Sequence, residues 1–170
     1  KGMAEFANTT HALWEHSIQT SAAAYVLAQE TTRLNRDEAM LAGLIHDLGA
    51  FYMLYRVTQY AELRHRPDTI KYLIVQWHES IGVSLLNALG LPDEIVEATI
   101  DHDHLRDTPV IIKSLSDIIY VANMLGGGHI EWQAQDQPGL LAEISSLKEQ
   151  YSHLQPAIDK LAGELRGSLQ

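Results

Sequence analysis

Apolar residues recur at helical spacing along nearly the whole chain, and this pattern limits the fold more strongly than any single motif. In the first long segment, from about Thr10 to Glu30, one apolar residue returns at every fourth position, as in the buried stripe of a helix. The stripe consists of Trp14, Ile18, Ala22 and Val26. We find no convincing run of alternating apolar and polar residues that would predict a strand. The sequence therefore predicts an all-α fold, a compact multi-helix domain.

A capping residue and a glycine predict the limits of the next helix. Asn35 is followed three residues later by Glu38, which is the spacing of a capping box, so a helix should begin at Asn35. The helical pattern continues to His46, and Gly49 would permit a break just after the adjacent pair His46 and Asp47. The pair is thus expected at the end of a helix.

Later in the chain, similar signals predict two more long helices. Asp68 can cap a helix that reaches Leu89. The buried face predicted for it consists of Ile74, Trp77, Ile81, Leu85 and Ala88. Thr108-Pro109 is predicted to open a further helix, which the three glycines at 126–128 would terminate.

The last part of the chain predicts a helical extension of the same domain. Residues 129–138 are polar and are expected to form a loop. From about 138 to 169 apolar residues again have helical spacing, with a break near Pro156. We expect residues 1–170 to form a single helical domain.

Charge and composition exclude several classes of protein. The chain has 22 acidic and 12 basic residues, a formal net charge of −10 that would repel a nucleic-acid backbone. No apolar run approaches the roughly 20 residues of a membrane-spanning helix. The absence of cysteine excludes disulfides and thiolate metal sites. The sequence therefore predicts a soluble, cytoplasmic protein with neither a nucleic-acid nor a membrane partner.

The adjacent His46 and Asp47 form the most informative polar feature of the chain. They lie between the apolar residues Leu44-Ile45 and Leu48, where two buried polar side chains are costly unless they are paired or bind something. Histidines also occur at positions 16, 78 and 102. Neutral imidazoles and a carboxylate are ligands that suit Zn, Mn, Fe or Ni. The pair therefore raises the question of a divalent metal site.

The order and spacing of the short motifs around these histidines resemble the HD superfamily, and most closely the HDOD domains of bacterial signalling proteins. The motifs are WEHS at 14–17, GLIHDLG at 43–49, HESIG at 78–82, LGLP at 89–92, ATIDH at 98–102 and ANML at 122–125. The resemblance implies an HD-like core over about residues 10–126, followed by a C-terminal helical extension at about 138–169. It also implies that the N-terminal helical part that usually precedes this core is missing.

The resemblance implies one metal site made by a His, the His-Asp pair and a later Asp. By matching motifs, its ligands would be His16, His46, Asp47 and a residue near Asn123. Asn123 stands where the family has an aspartate, and a neutral amide is a poorer ligand than a carboxylate. Asp117 is an alternative ligand, because helical periodicity alone does not choose between the two positions. The cofactor would be a divalent metal, namely Zn, Mn, Fe, Ni or Mg.

Related enzymes with a Gly-Tyr-Pro motif hold a second metal, which Asp47 would bridge. The matching positions here are His78, His102 and Asp103, the last being an aspartate where a histidine is usual. Two departures weaken the likeness to those enzymes. Ala50 replaces a lysine that could contact a substrate phosphate, and no Gly-Tyr-Pro follows His104. These departures argue against hydrolysis of a cyclic dinucleotide by that mechanism.

Three functions remain open from the sequence. The leading hypothesis is a signalling or regulatory HDOD-type module whose pocket can bind metal but no longer catalyses, acting through a protein partner or fused signalling domains. The alternative is a metal-dependent phosphohydrolase acting on a phosphate ester or nucleotide. A third is a plain helical dimerisation domain, in which the polar groups would pair with each other and with the backbone.

Overall fold

The computed structural model describes residues 7–127 and 137–169. Its elements are α1 (Ala7–Thr31), α2 (Arg36–Ile45), α3 (Leu48–Val57), α4 (Pro67–Ala88), α5 (Asp93–Ala98), α6 (Leu115–Gly126), α7 (Leu140–Gln150), a 3₁₀ turn (Ser152–Leu154) and α8 (Gln155–Ser168). Within the described ranges there is no strand, and the all-α prediction is confirmed. No helix in these ranges is both long enough and apolar enough to span a bilayer.

The long helix α1 lies at the centre of the main hydrophobic core. It packs against α2, α6 and α8, and Ile18, Ala22 and Leu27 on α1 are completely buried. Residues of α7 and α8, such as Ile144 and Ile158, belong to the same core. The side chains at the middle of α1 are therefore surrounded by helices from both ends of the chain.

A second, smaller core forms where α3 packs on α4. Ala50, Leu54 and Ile74 are its most deeply buried members, and Leu13 of α1 joins them. Ala50 is completely buried in this apolar cluster. A lysine at this position would therefore lie among hydrocarbon side chains, so this backbone does not offer it as a contact for a phosphate.

The buried face of α4 differs from the face predicted by its large apolar residues. Trp77 is 55% exposed, and Ala88 is also exposed. The residues that α4 buries are Ile70, Ile74, His78, Gly82 and Leu86, which also recur every four positions. The prediction for Trp77 and Ala88 was wrong, because α4 turns the stripe containing a histidine and a glycine toward the protein interior. The helix also begins at Pro67 with Arg66 as its N-cap, so Asp68 lies in the first turn rather than at the cap.

The remaining helix limits differ in two places from those predicted. Asn35 caps α2 as expected, its side-chain oxygen accepting hydrogen bonds from the amides of Asp37 and Glu38. The break after α2, however, falls on His46 and Asp47 themselves, and Gly49 lies inside α3. Residues 108–113 are not helical, so Thr108-Pro109 does not open α6; Ser114 does so with a reciprocal capping box to Asp117. Most of the predicted loop at 129–138 lies outside the described residues.

Candidate metal centre

Seven polar side chains from five parts of the fold meet in the protein interior. Each is at most 5% exposed. They are His16 on α1, His46 and Asp47 between α2 and α3, His78 on α4, His102 and Asp103 in the turn after α5, and Asn123 on α6. We call this group the His/Asp cluster. The structure thus brings together the residues proposed from sequence for two metal positions.

Asp47 lies at the centre of the cluster. Its Oδ2 atom is 3.2 Å from Nε2 of His46 and 3.6 Å from Nε2 of His16. Its Oδ1 atom is 3.2 Å from Nε2 of His102 and 3.7 Å from Nε2 of His78. Asp47 occupies the N-cap position of α3, but its side chain makes no capping hydrogen bond, although aspartate is among the best capping residues. Its carboxylate is instead directed at four imidazoles.

Asp103 and Asn123 complete the cluster beside different histidines, and they also contact each other, since Nδ2 of Asn123 donates to Oδ1 of Asp103. Asp103 Oδ2 is 2.9 Å from Nε2 of His78 and 3.5 Å from Nε2 of His102. Asn123 Oδ1 is 2.9 Å from Nε2 of His16. We call Asp47 Oδ1, His78, His102 and Asp103 the Asp103 half of the cluster, and Asp47 Oδ2, His16, His46 and Asn123 the Asn123 half.

Hydrogen bonds to the backbone fix which nitrogen of each ring faces the cluster. In all four histidines Nδ1 contacts a carbonyl oxygen, which can only accept, so Nδ1 must carry the proton. The carbonyls belong to Gly127 for His16, Gly43 for His46 (2.7 Å), Ile74 for His78 (2.8 Å) and Thr99 for His102 (2.6 Å). A neutral ring in this tautomer presents the lone pair of Nε2 to the cluster. Metal-binding histidines are commonly oriented in this way, by a hydrogen bond from the ring nitrogen that does not face the metal.

The atoms that face one another inside the cluster are therefore almost all hydrogen-bond acceptors. Nε2 of His16 and Nε2 of His46 are 3.1 Å apart, and carboxylate oxygens lie beside the other rings. Acceptors this close require a cation, either a proton or a metal ion. Burial opposes protonation of His102, but the carboxylates of Asp103 and Asp47 outweigh burial and raise the pKa of its imidazole to about 10. The pKa of His78 is also raised, because Asp103 outweighs burial there too.

Two glycines allow the helices to approach closely enough to form the cluster. A Cβ atom at Gly43 would lie 2.9 Å from Cα of Ser21, so glycine permits α2 to pack tightly on α1, which carries His16. A Cβ atom at Gly49 would overlap the carbonyl oxygen of His78 and lie 2.6 Å from the amide nitrogen of Gly82. Gly49 therefore brings α3, which follows Asp47, against the part of α4 that carries His78.

An open cleft of about 250 Å³ reaches one side of the cluster. Its lining residues are Val75, Gln76, His78, Glu79, Ser80, Asp103, His104 and Gln137. Two of them, His78 and Asp103, belong to the Asp103 half, and none belongs to the Asn123 half. Among the residues that the structure describes, the cleft lining contains the carboxylates of Glu79 and Asp103 but no lysine or arginine. It therefore favours cations over phosphate groups.

Asp117, the alternative ligand, has a different role. Its carboxylate accepts hydrogen bonds from the amides of Lys113 and Ser114 and pairs with Arg106 at 3.1 Å. Asp117 therefore caps α6, whereas Asn123, six residues later, faces the cluster.

Gln137 is a contributor that the sequence analysis missed. Its side chain accepts a hydrogen bond from the amide of Leu105 and donates one to the carbonyl of Asp103. It thereby braces the turn that carries Asp103. No local motif indicates this role, since Gln137 follows a polar segment and reaches the turn only through the tertiary fold.

Comparison with known proteins gives one family and one similar structure. The HDOD domain family matches residues 3–105, which include all four histidines of the cluster and both aspartates. No curated protein matches the chain significantly. The crystal structure of a protein from Shewanella amazonensis SB2B, with a proposed metal-dependent phosphohydrolase activity, is similar with a TM-score of 0.65 and 20% identity. The similarity covers 96% of this chain but only 60% of that one, and at this identity it shows a common fold.

Proposed function

This chain belongs to the HDOD family, and we propose that it is a regulatory module whose His/Asp cluster binds a divalent metal without catalysing hydrolysis. The observation that carries the metal-binding part is the convergence of four Nε2 lone pairs on the buried carboxylate of Asp47. Neutral imidazoles with carboxylates suit Zn, Mn, Fe or Ni better than Mg, which prefers oxygen ligands. A bound cation would offset the acceptor repulsion within the cluster.

The absence of catalysis is inferred from the surroundings of the cluster. A bound divalent ion would supply Lewis acidity and would lower the pKa of a water molecule. A phosphate substrate entering the cleft would nevertheless meet the carboxylates of Glu79 and Asp103, and the described lining residues include no lysine or arginine to offset their charge. Ala50, at the position where related enzymes have lysine, is buried in the small core between α3 and α4. These features favour holding an ion over turning over an anionic ester.

Membership of the HDOD family supports the regulatory role. We propose that residues 1–170 act as one domain in which metal occupancy stabilises the arrangement of α1, α4 and α6 around the cluster. A protein partner or a fused signalling domain would respond to that arrangement. The chain spans 60% of the length of the Shewanella protein that it resembles.

A second function, metal-dependent phosphohydrolysis, is favoured by one specific observation. The two oxygens of Asp47 face different pairs of histidines, as in a carboxylate that bridges two metal ions. Hydrolytic enzymes with two metals hold them about 3.5–4 Å apart, which a bridging carboxylate can achieve. The position of Asp47 is therefore compatible with a two-metal hydrolytic site.

One experiment separates the two functions. Protein purified without a metal-affinity step should contain a divalent transition metal by elemental analysis, and Asp47→Asn should lose it because Asp47 faces all four imidazoles. His153→Ala, at an exposed position outside the cluster, should retain the metal. With Mn added, neither the wild type nor either variant should hydrolyse a panel of phosphate esters and nucleotides. Turnover in the wild type that Asp47→Asn abolishes would instead establish the phosphohydrolase.

A further inference from the structure

We propose that the Asp103 half of the cluster is the primary metal site, which fills before the Asn123 half, and that Asn123 directs the cation to it. This inference rests on the proposed metal-binding function and specifies the position and order of loading. It reverses the priority expected from the sequence, where His16, His46 and Asp47 belonged to the first site.

The geometry of the Asp103 half suits one small divalent ion. Its four carboxylate-to-imidazole distances are 2.9, 3.2, 3.5 and 3.7 Å. A tetrahedral ion with bonds of about 2.05 Å would hold its ligand atoms about 3.3 Å apart. The observed distances bracket this value, so a modest adjustment of the side chains would complete a set of two imidazoles and two carboxylates.

Charge separates the two halves more clearly than distance does. In the Asp103 half two carboxylates face the position of the ion, one from Asp103 and one from the shared Asp47. In the Asn123 half Asp47 supplies the only carboxylate, and the fourth donor is the neutral amide of Asn123. A doubly charged ion in a buried site is attracted much more strongly by two anionic ligands than by one. The Asp103 half should therefore bind the first equivalent.

Asn123 contributes to this preference through the orientation of its amide. Its Nδ2 donates to the backbone carbonyl of His102 and to Oδ1 of Asp103, each at 2.9 Å. Both partners are acceptors, so the amide nitrogen must face them and the oxygen must face His16. The amide therefore holds Asp103 with Oδ2 directed at His78. An aspartate at position 123 would instead place a second carboxylate against Asp103.

Access also favours the Asp103 half. The cleft is lined by His78 and Asp103, with Glu79 beside them, so an ion can approach from solvent along carboxylates. Gln137 fixes the turn on which Asp103 lies. The Asn123 half contributes no residue to this cleft, so an ion from it would pass the Asp103 half first.

Matched histidine-to-glutamine variants test the order of loading. We would titrate metal-free protein with Co²⁺ or Zn²⁺ and follow binding by visible absorption of Co²⁺ and by calorimetry. His78→Gln should lose the first equivalent, with an affinity decrease of at least about 10-fold, the lower range for perturbing a metal site. His16→Gln should keep the first equivalent and lose any second one. His153→Gln, outside the cluster, should match the wild type, and circular dichroism would verify that each variant folds.

Exchanging the acid at position 103 for an amide, and the amide at position 123 for an acid, provides a second test. Asp103→Asn should weaken the first equivalent, whereas Asn123→Asp should strengthen binding in the Asn123 half by restoring a carboxylate there. The inference is overturned if His16→Gln removes the first equivalent and His78→Gln retains it, or if both variants lose it equally. A wild type that binds neither ion would overturn the proposed metal-binding function as well, which distinguishes the two failures.

Discussion

Replacing Gly49 with alanine should destabilise the protein by about 3 kcal/mol or prevent it from folding, the upper range for inserting atoms into a packed interior. The new Cβ atom would overlap the carbonyl oxygen of His78 and crowd the amide nitrogen of Gly82. These are backbone atoms, so no side-chain rotation relieves the conflict. α3 would have to move away from α4, which would also move Asp47 away from His78.

Gly163→Ala is the matched control for this substitution. Gly163 lies in α8, and a Cβ atom there would meet nothing within 4 Å. Alanine at this exposed helical position should stabilise the protein by about 0.5–1 kcal/mol. Urea unfolding of the wild type and both variants measures the two effects. A Gly49→Ala protein as stable as the wild type would show that α3 and α4 do not approach as described.

Asp47→Asn should remove metal binding from both halves of the cluster, the largest functional effect expected of a single substitution here. Each oxygen of Asp47 serves one half, and the side chain is completely buried. The amide would supply a neutral oxygen to one half and a nitrogen without a lone pair to the other. We expect affinity to fall by more than about 100-fold, beyond the range for loss of an outer partner of a metal ligand.

Asp159→Asn controls for the change of charge. Asp159 is exposed on α8 and hydrogen-bonds only locally, to Gln155, among the contacts described. Its replacement alters the net charge by the same amount and should leave metal affinity unchanged. Elemental analysis and Zn²⁺ titration of the two variants provide the comparison. An Asp47→Asn protein with the metal content of the wild type would remove Asp47 from any metal site.

The sequence predicted the fold class because apolar spacing is a local property of each helix. It mispredicted the face of α4 because this helix has two possible stripes. The stripe containing Trp77, Ile81 and Leu85 is the more hydrophobic, whereas the buried one contains His78 and Gly82. Hydrophobicity alone favours the former. The tight approach at Gly49 and the hydrogen bonds of His78 within the cluster explain why the latter is buried.

The cluster was predictable to the extent that family motifs identify its histidines and aspartates. The sequence did not decide whether Asp117 or Asn123 faces the cluster. Asp117 is unavailable because its side chain forms a reciprocal capping box with Ser114 at the start of α6. The contact between Asn123 and Asp103 joins residues 20 positions apart on different elements. Spacing along one helix carries no information about such a contact.

Anomalous X-ray scattering from crystals of metal-loaded protein would locate the ion within the His/Asp cluster. We expect an anomalous peak about 2.0–2.2 Å from Nε2 of His78 and Nε2 of His102, at bonding distance from the carboxylates of Asp47 and Asp103. The peak should appear at the absorption edge of the metal found by elemental analysis. A cluster without an anomalous peak in protein loaded with stoichiometric metal, or a metal bound only elsewhere, would contradict metal binding by the Asp103 half.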